Sequence, residues 1–186
     1  MKKHVFVLLV ALFLLTSCGE KDSGNDLSKP PELTVVCGEA STEAVKGTFE
    51  WSYPQKDGTT AHIIADALLP LEMEELLTPL VMKPSPLSHI DPRTAYLIFD
   101  GPLPDRLQLY RWHDDQGDTY TVHLEAEKVE MGKVNGKRIF AFQVQLSEEY
   151  GIYEVLAQWK DGEHEGGEVS YVFAAEMRLP ELQSIG

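Results

Sequence analysis

Two short runs of the sequence gather side chains that could do chemistry. The first run combines an imidazole with three carboxylates, and its members are His113, Asp114, Asp115 and Asp118. The second run is acidic and rich in glycine, and its candidates are Asp161, Glu163, His164 and Glu165. Carboxylate oxygens are the ligands that Ca²⁺ and Mg²⁺ prefer, and imidazole suits transition metals. Either run could hold a cation or contact a cationic partner.

Neither run has the spacing of a cation site. A calcium loop needs a glycine at a set position and a bidentate glutamate further on, but Gly117 comes too early and no glutamate follows at the required distance. Asp and Gly are also common turn formers, so the first run is interpreted as a solvated hairpin turn. The glycines of the second run favour a flexible loop over a rigid cage. We therefore predict no metal and no cofactor, and we treat both runs as possible binding loops.

Catalytic motifs are absent from the sequence. It contains no Gly-x-Ser-x-Gly, no His-Glu-x-x-His and no phosphate-binding glycine loop, and its histidines have no ligand spacing. With 30 acidic against 16 basic side chains and a net charge of -14, the chain also lacks the basic face that nucleic acid requires. We predict a non-catalytic protein that does not bind nucleic acid.

The beginning of the chain has the features of an export signal. Two lysines precede an uninterrupted apolar run at residues 5–15, which as a helix would span only about half of a bilayer core. The run ends in Leu15-Thr16-Ser17-Cys18, which resembles the lipobox of bacterial lipoproteins. This resemblance implies a diacylglyceryl group on Cys18 and cleavage just before it. It also implies that the protein is held at the extracytoplasmic face of the cell membrane.

Composition divides the rest of the chain into a polar segment and one folded domain. Residues 19–32 contain a single apolar side chain among Gly, Ser, Asn, Pro and charged residues, which is typical of a tether. We predict a signal peptide at residues 1–17, a lipidated disordered tether at 18–32 and one domain at 33–186. Because the chain is acidic and would be repelled by an anionic bilayer, the lipid must supply the anchoring.

Within the domain, apolar residues alternate with a period of two, as in β-strands. The alternation changes parity near Glu127 and Lys128, which predicts a bulge or bend there. Pro70 followed by several glutamates predicts one short helix. The predicted strands cover residues 33–37, 47–53, 59–65, 78–83, 94–99, 106–112, 120–131, 139–146, 152–159 and 169–175.

One local pattern refines the fold prediction. Residues 149–155, Glu-Tyr-Gly-Ile-Tyr-Glu-Val, resemble the immunoglobulin-type pattern acid-x-Gly/Ala-x-Tyr-x-Cys at the start of the sixth strand. The resemblance implies that Tyr153 makes a corner hydrogen bond back to the chain. Val155 replaces the cysteine of that pattern, so apolar packing must replace its cross-sheet disulfide. We therefore predict an all-β, immunoglobulin-like antiparallel β-sandwich with one short helix.

Cys37 would be the only free thiol once Cys18 is acylated. An intermolecular disulfide or a redox role is conceivable, but a small buried side chain in a short strand is the favoured interpretation.

Taken together, these features predict a lipid-anchored binding module of the cell envelope, with the membrane and an envelope protein or polymer as partners. The chain resembles small surface lipoproteins of Gram-positive bacteria, many of unknown function. Two alternatives stay open, a hydrolase of envelope polymers and an inhibitor or accessory subunit of an envelope complex.

Overall fold

The structure is a computed structural model, and it describes residues 28–84, 90–115, 118–134, 136–162 and 165–178. In these ranges the chain forms twelve β-strands and one 3₁₀ helix, Pro70–Leu76. The strands are, in chain order, β1 (Leu33–Cys37), β2 (Ala40–Glu43), β3 (Val45–Pro54), β4 (Thr60–Ala65), β5 (Leu80–Met82), β6 (Thr94–Phe99), β7 (Arg106–Asp115), β8 (Asp118–Leu124), β9 (Ala126–Val134), β10 (Lys137–Gln145), β11 (Gly151–Gly162) and β12 (Glu165–Met177).

The strands form two sheets packed face to face. The β6 sheet has the order β2-β1-β6-β10-β9, and the β11 sheet has the order β4-β3-β12-β11-β7-β8, with β5 pairing parallel to the end of β12. From β6 to β12 the strands take, in chain order, the positions B, C, C′, D, E, F and G of an immunoglobulin sandwich, and β1 lies beside β6 as strand A does. The predicted all-β sandwich with a single short helix is confirmed for the described residues.

The core lies between the sheets because each strand turns alternate side chains inward. In β11 the positions that face the core are odd-numbered and include Tyr153 and Val155, while in the β6 sheet Val35 and Leu97 face them. Tyr153 also makes the predicted corner contact, since its hydroxyl oxygen accepts a hydrogen bond from the backbone N–H of Ser147 at 3.0 Å. Val155 is fully buried, so apolar packing occupies the position of the missing cysteine.

The short helix covers part of the outer face of the β11 sheet. It begins at Pro70, as predicted, and its turn is closed by the Glu72 side chain, which accepts a hydrogen bond from the Leu69 N–H at 3.1 Å. Met73 packs on Ile152 of β11 and on the neighbouring strand β12. Outward-facing apolar residues of the sheet are therefore removed from water by the helix.

Two strands continue directly into the opposite sheet. β2 passes through Ala44 into β3, and β8 passes through Glu125 into β9. The passage at Glu125 does not change which positions face the core, because Leu124 and Ala126 both pack on the core and Lys128 pairs with Phe142, which packs there too. The bend is close to the predicted position, but the pairing of β9 with β10 is regular from Ala126 to Glu130, so no bulge lies at Glu127 and Lys128.

A true bulge occurs further along β9. Ile139 of β10 pairs with Gly132, whereas the next residue, Phe140, pairs with Glu130. Met131 is therefore the extra residue of the bulge.

The two ends of the sandwich carry different side chains, and we name them accordingly. At the aromatic end, where β11 ends and β12 begins, lie Trp51, Phe99 and Trp159. At the arginine end, where β7 ends and β8 begins, lie Arg93 and Arg111. Because β11 runs antiparallel to both neighbours, the two ends are separated by the full length of the strands.

The chain enters the sandwich at the aromatic end, earlier than the composition predicts. Pro30 and Pro31 are buried, and the Tyr171 hydroxyl donates a hydrogen bond to the Pro31 carbonyl at 2.6 Å. The Glu32 N–H donates to the Asp100 side chain at 2.7 Å. The predicted tether boundary at Glu32 is therefore too late, because prolines that look like linker residues pack against the domain.

Candidate functional site

The two predicted binding loops lie at opposite ends of the sandwich. The β7–β8 hairpin, in which Asp115 pairs with Asp118, is at the arginine end. The connection between β11 and β12 is at the aromatic end. Glu163 and His164 lie outside the described residues, as does Cys18, so their predicted roles stay predictions. The two runs of acidic residues therefore do not form one site.

At the β7–β8 hairpin, the imidazole is engaged in a ring contact. His113 stacks on Tyr120 with ring centres 4.8 Å apart and planes only 4° from parallel. Asp114 and Asp118 are exposed to solvent. Among the residues with described positions, no three His, Cys, Asp or Glu side chains are grouped to hold a metal ion. The arrangement is that of a solvated hairpin stiffened by a stacked His–Tyr pair.

At the other connection, the strands are longer than the sequence predicts. Asp161 belongs to β11 and Glu165 to β12, so most of the expected flexible loop is strand. Gly167 has a positive φ of 155°, and a Cβ there would lie 1.9 Å from the carbonyl oxygen of Glu50 in β3. The glycine is therefore required by the close approach of two backbones and does not mark a mobile loop.

A hydrogen-bonded carboxylate lies on the outer face of the β11 sheet, and sequence reasoning missed it. The Trp112 indole N–H donates to one oxygen of Glu154 at 2.9 Å, and the Ser170 hydroxyl donates to the other at 2.7 Å. The three residues come from β7, β11 and β12, which are adjacent only in the folded sheet. Trp112 is half-buried, and its polar edge already has a partner.

The same face continues as a row of polar and aromatic side chains. The Gln108 amide donates to the Tyr110 hydroxyl at 3.1 Å, and the Tyr110 ring meets the His123 ring edge to face at 5.4 Å. These contacts hold the rings in place on an accessible surface. The row offers ring faces and hydrogen-bonding groups of the kind used in binding surfaces.

Cys37 is buried, as predicted. It is 5% exposed, and its thiol donates to the Pro92 carbonyl at 2.9 Å. Burial, reinforced by the Asp91 carboxylate, raises the pKa of the Cys37 thiol to about 11. The thiol is therefore protonated at neutral pH and packs as a small apolar side chain.

The largest group of exposed apolar side chains in one segment flanks the short helix. We name Leu68, Leu69 and Leu76 the leucine patch, and they are 56%, 60% and 62% exposed. Beside the helix, the Tyr150 hydroxyl is hydrogen-bonded to the Glu74 side chain; burial first, and then that carboxylate, raise the pKa of Tyr150 to about 12. The sequence signal was the presence of five leucines in residues 68–77, more than a single short helix can bury.

Comparison with known proteins gives no match. No family model, no curated protein and no solved structure is similar to this chain at a significant level. In the part of the chain that the structure describes, no helix is long and apolar enough to cross a membrane.

Proposed function

We propose that this protein is a lipid-anchored lipoprotein of the extracytoplasmic face whose β-sandwich binds a partner in the cell envelope. The observation that carries the proposal is the sequence Leu15-Thr16-Ser17-Cys18 at the end of an apolar run. In this proposal Cys18 carries the diacylglyceryl group, and two acyl chains are sufficient for stable attachment to a bilayer. The sandwich acts by binding and not by chemistry.

The position of the chain entry gives the proposal an orientation. Between Cys18 and the first buried proline, Pro30, lie eleven residues of polar composition, whose r.m.s. reach as a random coil is about 18 Å. The sandwich would be attached to the membrane-anchored segment at its aromatic end. The arginine end, with the β7–β8 hairpin, would then face away from the membrane and be the side presented to partners.

The test compares the two cysteines of the chain. The full chain is expressed in a bacterial host with an alkyne analogue of palmitate, and lipid incorporation and membrane fractionation are measured. Cys18→Ser should abolish labelling and retain the uncleaved, larger form, because both modification and cleavage require the thiol. Cys37→Ser is the matched control and should be labelled like the parent. Equal labelling of the Cys18→Ser variant would contradict the proposal.

A role as an accessory subunit or inhibitor of an envelope complex is the second candidate. The leucine patch favours it, because exposed apolar clusters on a folded domain are typical of protein–protein contact surfaces.

A further inference from the structure

The segment that carries the leucine patch is firmly seated on the sandwich. Met73 is buried against Ile152 and Val172, and Leu71 and Leu77 pack on the same small cluster. The three patch leucines project from this fixed base and remain more than half exposed. Single exposed leucines are ordinary, but three around one ordered helix form a patch with a defined shape.

The charged side chains of the segment that carries the patch all have the same sign. Residues 63–82 contain four acidic side chains, Asp66, Glu72, Glu74 and Glu75, and no lysine, arginine or histidine. Within the described part of the chain, none of the three helix glutamates takes part in an ion pair. The patch leucines therefore share their segment with carboxylates that a partner's cations could pair with.

We propose that the leucine patch is a docking surface for a cationic amphipathic protein segment, one that places apolar side chains on the leucines and Lys or Arg beside the glutamates. A second copy of this chain is disfavoured, because patch-to-patch contact would bring the helix glutamates of both copies together in a protein of charge -14. An anionic bilayer is disfavoured for the same reason.

The location of the patch agrees with a protein partner. The helix lies over Ile152, which pairs with Trp112 near the beginning of β11, and it is bonded to Tyr150. The patch is thus near the arginine end, away from the entry of the chain at Pro30. The inference deepens the proposed binding function by naming a surface and a class of partner, and its surface chemistry does not depend on lipidation.

The experiment uses the full chain in nanodiscs of zwitterionic phosphatidylcholine and a fluorescent helical peptide of leucine and lysine, about 18 residues long. Fluorescence anisotropy measures the affinity for the parent, for Leu69→Ser/Leu76→Ser and for the matched control Ile90→Ser/Val122→Ser. The control also removes two exposed apolar residues, and neither belongs to the leucine patch or to the stacked His113–Tyr120 pair. Empty discs measure binding of the peptide to lipid.

The parent and the control should bind with similar affinity, and the patch variant should bind at least about tenfold more weakly because the apolar contact is lost. Glu72→Gln/Glu75→Gln should weaken binding less and reduce its salt dependence. Equal affinity of parent and patch variant, or equal binding of a leucine–glutamate peptide, would overturn the proposal. If Cys18 proves unmodified, the same titration is made in solution, so loss of the anchor and loss of the docking surface are separate results.

Discussion

The aromatic end and the arginine end close the same sandwich by different physical means. At the aromatic end Trp159 meets Trp51 and Phe99 edge to face at 5.5 and 5.6 Å, and its indole N–H donates to the Pro102 carbonyl. Apolar rings fill the space, and the polar edges of Trp159 and Tyr171 are paired with backbone carbonyls.

At the arginine end, charged side chains lie over the core. Arg111 is half-buried, and its guanidinium donates to the Tyr150 carbonyl at 3.1 Å and lies 3.4 Å from the Glu149 carboxylate. Its Nε has no hydrogen-bond partner within the described residues. Gly151 makes room for this group, since a Cβ there would lie 2.7 Å from that nitrogen. The aromatic end is therefore stabilised by packing. At the arginine end, packing is combined with the burial of a polar nitrogen that has no hydrogen-bond partner within the described residues, which costs free energy.

The largest expected effect on stability is that of a substitution at the aromatic end. Trp159→Ala should lower the free energy of unfolding by about 3–5 kcal/mol, because it removes a buried ring and leaves a cavity beside Trp51 and Phe99. Trp112→Ala, on the outer face, should cost only about 1–2 kcal/mol. Urea unfolding of the full chain gives both values, and equal costs would mean that the aromatic cluster is not the stronger end.

A second prediction asks whether the arginine end is closed to solvent. Cys37 lies there, and at pH 8 its pKa of about 11, against an ordinary 9.0, lowers the thiolate fraction about a hundredfold. Iodoacetamide should modify Cys37 at least about a hundredfold more slowly in the native protein than in urea, as measured by peptide mapping. Rapid native modification would show that this end opens readily.

The third prediction compares two buried tyrosines. Tyr153→Phe leaves the Ser147 N–H at the arginine end without its partner, and Tyr171→Phe leaves the Pro31 carbonyl at the aromatic end unpaired. Each should cost about 1–2 kcal/mol.

Hydrogen exchange distinguishes the two variants. Tyr171→Phe should speed exchange at the amide of Glu32, which is held beside Pro31, whereas Tyr153→Phe should not. Faster exchange at Glu32 in both variants would mean that the two ends are coupled.

The smallest effect concerns an exposed ion pair at the arginine end. Hydrogen bonds from Arg93 hold the pKa of Asp91 at about 2, below its ordinary 3.8. Because the folded-state pKa is lowered, the pair stabilises the protein above about pH 4, and this stabilisation is lost as the pH falls from about 4 to 2. Asp91→Asn should therefore reduce stability at pH 7 by less than either tyrosine substitution, because solvent screens the pair.

The pH series supplies the control for this variant. The difference between parent and Asp91→Asn in thermal unfolding should shrink to zero between pH 4 and pH 2. A difference that stays constant over this range would assign the effect to packing and not to the charge.

Sequence patterns predicted those strands whose apolar residues alternate toward one core. β1 and β6 have the predicted bounds, and the short helix begins at the predicted proline. β2, Ala-Ser-Thr-Glu, was missed because it has no apolar alternation and is a strand only through its pairing with β1. The bulge expected near Glu127 and Lys128 lies at Met131, because Val129, whose odd position suggested the change of parity, pairs with Ala141 and not with the core-packed Phe142.

The candidate site was harder to predict than the fold. Glu154, Trp112 and Ser170 are far apart in sequence and meet only because β7, β11 and β12 are neighbours. The leucine patch consists of the leucines that do not pack on the outer face of the sheet. The composition of the segment does not show which of its leucines pack there and which stay exposed. By contrast, the separation of the two acidic runs follows from the alternating direction of antiparallel strands, which the sequence order already contains.

The direction of β1 has a mechanical consequence. β1 begins at the aromatic end, where the chain enters, and runs toward the arginine end between β2 and β6. A tension that pulls on residues before Leu33 while the arginine end is held acts along the strand axis, and the ladder hydrogen bonds are perpendicular to that axis. The load is therefore shared in shear by both ladders at once, and the strand does not unzip one bond at a time.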